Sequence, residues 1–113
     1  MAQNFKRLML SGVGTAAADL PDGSDFPTGF HTIIGINLAN TTDNLILGSV
    51  YIEDSSTTPN TQSYIVRKAA IPSGASISIS GKYVVTGDDR LYFESDTAAS
   101  MDVIVSYVQE IST

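Results

Sequence analysis

The sequence predicts an all-β fold, a single antiparallel β-sandwich of about seven to nine strands, and three observations carry that expectation. Apolar residues recur with a period of two rather than 3.6, in short runs. Clusters of Gly, Pro, Asn, Asp and Ser separate the runs. No segment of about ten residues carries a helical apolar stripe, which leaves sheet packed on sheet as the way to bury the apolar faces. Either a jelly roll or an immunoglobulin-like arrangement fits this rhythm. At 113 residues the chain makes one domain, because two cores of half that size would need disulfides or metals to hold together. The chain has no cysteine, so stability must come from packing within the domain or against other subunits.

Residues 1–29 are the least periodic part. Residues 5–10 can pair as a strand and residues 16–20 as a weak one, and residues 20–29 are dense in turn formers. This stretch is expected as an edge strand of the sandwich or as an arm laid on a neighbouring subunit, with residues 30–113 forming the sandwich core. The first clear strand is residues 32–39, in which Ile34, Ile36 and Leu38 would share one face and Ile33, Gly35 and Asn37 the other. A turn at residues 40–44 leads to a strand over residues 45–52, with Ile46, Val50 and Ile52 opposite Leu47 and Tyr51. Residues 54–62 read as a polar surface loop, mobile and exposed.

Residues 64–69 resume as a strand, and Ile71-Pro72-Ser73-Gly74 turns the chain. Ser76-Ile77-Ser78-Ile79-Ser80 is the cleanest alternation, isoleucines inward and serines outward. Short strands follow at residues 83–86 and 90–94, the latter with Leu91 and Phe93 on one face and Arg90, Tyr92 and Glu94 on the other. The closing strand, residues 101–108, sets Met101, Val103, Val105 and Tyr107 against Asp102, Ile104, Ser106 and Val108. Both of its faces are partly apolar, which suits the middle of a layer or a place beneath a neighbour.

Six basic residues against twelve acidic ones give a formal charge of −6, which disfavours nucleic acid and anionic lipid as partners. No apolar run approaches the ~20 residues of a bilayer-spanning helix. The run Leu8-Met9-Leu10 behind Lys6-Arg7 is too short for a signal-peptide core. A soluble chain that carries no export signal of its own is expected.

The inventory of reactive residues points away from catalysis. His31 is the only histidine and no nucleophile elbow, zinc-binding histidine pair or phosphate-cradling glycine loop accompanies it. A satisfied or surface histidine is expected, and no enzyme activity and no cofactor. Asp19, Asp22 and Asp25 recur at spacing three and are the one metal candidate, for calcium. They lack the alternation of a calcium loop and its closing bidentate glutamate, and aspartates are common turn formers. Asp88-Asp89 after Gly87 reads as a turn. Tyr51, Tyr64, Tyr83, Tyr92 and Tyr107 fall one per strand, at the rim of the core with phenols reaching solvent or a partner. A tyrosine platform for carbohydrate is an alternative reading, weakened by the absence of tryptophan.

The opening Met1-Ala2-Gln3-Asn4-Phe5-Lys6-Arg7, the strand Thr32-Ile33-Ile34-Gly35-Ile36-Asn37-Leu38-Ala39-Asn40, the turn Ile71-Pro72-Ser73-Gly74-Ala75-Ser76-Ile77 and the ending Met101-Asp102-Val103-Ile104-Val105-Ser106-Tyr107 together resemble small virion structural proteins of tailed bacteriophages. The resemblance spans most of the chain and rests on strand and turn patterns rather than on a functional motif. It implies a subunit present in many copies, a capsid cement or decoration protein or else a neck, collar, tail or fibre-attachment component. It also implies a virion assembled in the host cytoplasm, with the major capsid protein or neck and tail proteins as partners, and homo-oligomerisation. A carbohydrate- or calcium-binding sandwich module is the further alternative. Acting by being bound, the chain would use the N-terminal stretch, with Phe5, Lys6, Arg7, Leu8, Leu10, Phe26 and Phe30, and the polar loop, with Asp54, Thr58 and Asn60.

Overall fold

A computed structural model describes residues 2–21, 26 and 29–112, with side chains described from Phe5 to Gln109 within those spans. Among the described residues nine strands follow one another: β1 (Ala2–Val13), β2 (Ala18–Leu20), β3 (His31–Asn40), β4 (Ile46–Asp54), β5 (Thr61–Ile71), β6 (Ser76–Ile79), β7 (Tyr83–Val85), β8 (Asp89–Ser95) and β9 (Met101–Ser112). They form two antiparallel sheets, ordered β1-β9-β3-β6, with β7 also on β3, and β2-β8-β4-β5. The fold is an all-β sandwich.

Its strand order decides between the two sandwich topologies. β6 pairs with residues Ile36 to Ala39 of β3 and β7 with His31 to Ile33. They are thus two halves of one strand, interrupted at Gly81-Lys82. Each sheet then holds four strand positions, and successive strands alternate between sheets everywhere except at the β4–β5 hairpin. That is the wrapping of a jelly roll, an antiparallel ribbon folded over on itself.

The core lies between the sheets. Ile33, Leu38, Ile46, Val50, Ile71, Val85, Leu91, Phe93, Met101, Val103 and Val105 are buried, and each large apolar side chain among them stabilises the fold by about 1.5–3 kcal/mol. Gly48 is part of this packing. A Cβ there would stand 2.9 Å from Met101 Sδ and 3.1 Å from Ile71 Cδ1, so the missing side chain is what lets β4 approach the opposite sheet. Ile77 and Ile79 pack against the core with their serines outward.

Two sequence expectations need correction. Ile34 does not share the core face with Ile36 and Leu38; Ile33 does, and Ile34 is exposed. The register between β3 and β9 slips between Ile33 and Gly35, a bulge that inserts one residue and resets which side chains face inward. The loop expected over residues 54–62 is shorter. Glu53 pairs with Gln62 and Asp54 with Thr61 across the β4–β5 hairpin, because polar side chains on a solvent-facing hairpin do not oppose ladder pairing.

The turn after β3 is fixed by a single side chain. Asn40 Nδ2 donates to the carbonyls of Asn44 (2.7 Å), Ile71 (2.9 Å) and Pro72 (3.2 Å). Its Oδ1 accepts from Thr42 N and Thr42 Oγ1, both at 2.8 Å. One buried amide thereby ties the β3–β4 turn to the end of β5.

Candidate functional site

The two sheets turn very different outer faces to solvent. On the five-stranded sheet, register places Phe5, Val108, Thr32 and Val84 in one row across β1, β9, β3 and β7, and Met9, Ile104, Asn37 and Ser78 in another. Large apolar side chains stand open here: Phe5 at 69%, Val84 at 59%, Met9 at 55%, Ile104 at 41% and Ile34 at 39% exposed. The bulge at Ile34 is what adds the fifth member, since an unbroken strand would have turned that isoleucine into the core. A hollow of about 520 Å³ lies between Phe5, Arg7, Ile34 and Ser106, and one of about 390 Å³ between Met9, Asp102 and Ile104. Gly35 sits at the centre of the sheet, where a Cβ would meet nothing within 4 Å.

The four-stranded sheet is polar and aromatic. Tyr92, Tyr51 and Tyr64 are direct cross-strand neighbours on β8, β4 and β5. Ring centroids are 5.1 Å apart for Tyr51 and Tyr92, with planes 12° from parallel, and 5.1 Å apart for Tyr51 and Tyr64, with planes at 54°. The Arg67 guanidinium lies 5.7 Å from the Tyr64 ring centroid. In the next row Arg90 is bonded to Asp19 at 2.9 Å, and Glu53 accepts from Gln62 at 2.6 Å and from Asn60 at 3.3 Å. Burial, together with the negative charges of Glu94 and Glu53, pushes the Tyr51 phenol above its ordinary range, so it stays a neutral hydrogen-bonding group.

The residues expected to meet a partner divide between these surfaces and the core. Phe5, Lys6 and Arg7 are exposed on β1, and Phe30 is exposed just before β3. Leu8 and Leu10 pack against the core from β1, and Phe26 is buried. The Phe26 ring lies 5.4 Å from Tyr107 and 6.3 Å from His31; these three rings close one end of the sandwich, so Phe26 has no surface to offer. Thr58 and Asn60 are exposed at the tip of the β4–β5 hairpin. Asp54 caps it, its Oδ1 accepting from Ser56 N at 2.8 Å and Ser56 Oγ at 2.6 Å, which holds that carboxyl below its usual range. Of the calcium candidates, Asp19 is engaged by Arg90, and Asp22 and Asp25 lie outside the described residues. Among the described residues no three His, Asp or Glu side chains converge as metal ligands do.

No protein-family model and no curated protein matches the sequence. Solved structures do. The core of a Drosophila NLP, described for pentamer formation and histone binding, aligns over 98% of this chain and 100% of its own at 11% identity and a TM-score of 0.54. A protein of the T13 viral particle of IBDV aligns over 98% of this chain and 36% of its own, at 8% identity and a TM-score of 0.53. The CBM22-1–GH10 modules of Clostridium thermocellum xylanase 10B, complexed with xylohexaose, align over 78% of this chain and 18% of theirs, at 15% identity and a TM-score of 0.50. These likenesses show a shared fold. Function must be argued from the two faces, because one sandwich hosts many unrelated tasks.

Sequence reasoning missed Ile34, Met9 and Val84 as open apolar side chains and did not see that three tyrosines adjoin. Alternation within one strand shows which residues share a face, but only inter-strand register shows which of them touch.

Proposed function

We propose that this chain is a non-enzymatic structural subunit of a phage virion, a cement or decoration protein that binds the capsid shell, and copies of itself, through the outer face of the five-stranded sheet. The observation that carries the reading is the group of open apolar side chains on that face: Phe5, Met9, Ile34, Val84 and Ile104. Scattered apolar residues are normal on a protein surface, whereas a group on one sheet face marks an interaction site.

Magnitudes favour many-copy assembly over a lone contact. The five side chains are roughly half exposed, so covering them contributes on the order of 5 kcal/mol per subunit. Immobilising a partner costs about 4–15 kcal/mol. Contact with a polar surface would therefore be marginal. A complementary apolar patch on the shell protein or on another copy makes binding favourable, and simultaneous contacts in a ring or lattice multiply the effect.

The test uses purified particles. The protein should be present in a copy number close to that of the shell subunit, and stripping it should lower the temperature at which heads rupture. Gly35→Lys, which projects a charge from the centre of the face into open space, should fold and melt like wild type yet fail to rebind stripped particles. A copy number of about a dozen or fewer would replace the cement reading with a neck or tail position.

A further inference from the structure

The outer face of the four-stranded sheet stays free when the opposite layer is covered. We infer that its tyrosine row, Tyr92-Tyr51-Tyr64, is a binding platform for a neutral, extended polysaccharide chain laid across the strands. A pyranose ring presents a C–H face, which packs on aromatic carbon, and hydroxyls around its rim, which need hydrogen-bonding partners. The row supplies both kinds of surface. Aromatic rings in full face contact approach to about 3.5–4 Å; at 5.1 Å the nearly parallel Tyr51 and Tyr92 rings are slipped past each other, leaving part of each face uncovered. Tyr64 is 47% exposed. Three rings in register across three strands suit a chain better than a compact molecule.

Charge and rigidity narrow the ligand further. Asp19, Glu53 and Glu94 stand against Arg67 and Arg90 around the row, a near balance of slightly negative sign within a chain of net charge −6, so a polyanionic glycan is disfavoured. The polar groups are already held: Glu53 by Gln62 and Asn60, and Arg90 by Asp19. The tyrosines brace one another. Little side-chain freedom is then lost on binding, which is how a shallow surface achieves useful affinity.

The inference does not depend on the assembly reading. It is tested by isothermal titration of the intact protein with cellohexaose and chitohexaose, each carried to millimolar concentration, alongside sedimentation of the same samples. Wild type should bind at least one of them, and Tyr64→Ala and Tyr92→Ala should weaken that binding about tenfold or more while the protein stays folded at the assay temperature and its sedimentation is unchanged. Gln62→Ala, an exposed change that leaves the rings in place, should weaken it less. Gly35→Lys should bind sugar as wild type does even where it no longer binds particles. No binding of either sugar, tyrosine variants that bind undiminished, or tyrosine variants that alter sedimentation instead would overturn the platform, the last result making the row a protein contact.

Discussion

The two outer faces of this sandwich are built from the same strand rhythm and end up chemically opposite. Across the five-stranded sheet, Phe5, Met9, Ile34, Val84 and Ile104 stand open with few charges among them. Across the four-stranded sheet, three tyrosines are embedded in carboxylates, amides and guanidinium groups that already bond to one another. An apolar face without internal partners gains by being covered with protein. A polar face whose groups are held in place gains little from dehydration and can instead offer fixed hydrogen-bonding positions. One molecule can thus be anchored through one layer and remain available through the other.

The largest effects should come where a face residue is compared with its neighbour in the core. Ile33→Ala is expected to cost about 2–5 kcal/mol of stability, because Ile33 is fully buried. Ile34→Ala, one residue along and on the outer side of the bulge, should stay within about 0.5 kcal/mol while weakening assembly. Urea denaturation of both variants checks this, and equal losses would mean the bulge does not place Ile34 outside. Asn40→Leu comes next. It strips the carbonyls of Ile71 and Pro72 of their donor and should cost about 1–3 kcal/mol, with hydrogen exchange accelerated at both ends it ties together, the β3–β4 turn and the C-terminal end of β5.

A smaller effect should distinguish the aromatic row from residues that merely share a face. A double-mutant cycle of Tyr51→Leu and Tyr92→Leu should return a coupling of about 0.5–1.5 kcal/mol. The same cycle on Phe5 and Met9, which lie in separate rows of the apolar face, should return almost none in the unassembled protein. A coupling between Phe5 and Met9 as strong as that between the tyrosines would show the apolar face to be packed within the subunit rather than left open for a partner.

Much of this fold could be read from alternation alone. Leu91 and Phe93 on one shared face, the isoleucines of β6 inward, and Met101, Val103, Val105 and Tyr107 on one face of β9 all follow from period two with turns between, and the structure buries each of these faces. β9 does lie in the middle of its layer, between β1 and β3, one of the two places that its partly apolar faces suit. What alternation could not carry was the Ile34-Gly35 bulge, since an inserted residue has no composition of its own to announce it. Nor could it show the tyrosine row. Tyr51, Tyr64 and Tyr92 are separated by 13 and 28 residues in sequence, and only the pairing of β5 with β4 and of β4 with β8 brings them side by side. Phe26 was misplaced for a related reason: in a turn-dense stretch without periodicity, nothing local distinguishes a residue that plugs the sandwich end from one that projects.

The smallest expected effect separates two carboxylates near the edge of the polar face. Asp19 is half-buried and paired with Arg90, whereas Asp89, on the same strand as Arg90, is buried without a cation among the groups that perturb it. Burial holds the Asp89 carboxyl above its ordinary range, the nearby charges of Asp54 and Asp88 push the same way, and hydrogen bonds from Thr86 N and Thr86 Oγ1 offset them in part. A carboxyl that binds its proton more tightly folded than unfolded makes the folded state lose stability as pH rises from the usual carboxylate range through the raised value, and the loss is complete above it. Asp89→Asn keeps an oxygen for the Thr86 N–H, which it accepts at 2.8 Å in the native protein, and removes the buried charge. The variant should therefore be slightly more stable than wild type at pH 7, and the advantage should vanish as pH falls below the carboxylate range. Urea midpoints at pH 7 and pH 3.5 measure the difference. A variant less stable than wild type at pH 7 would mean that the charged form of Asp89 is favoured by its hydrogen bonds more than it is penalised by burial.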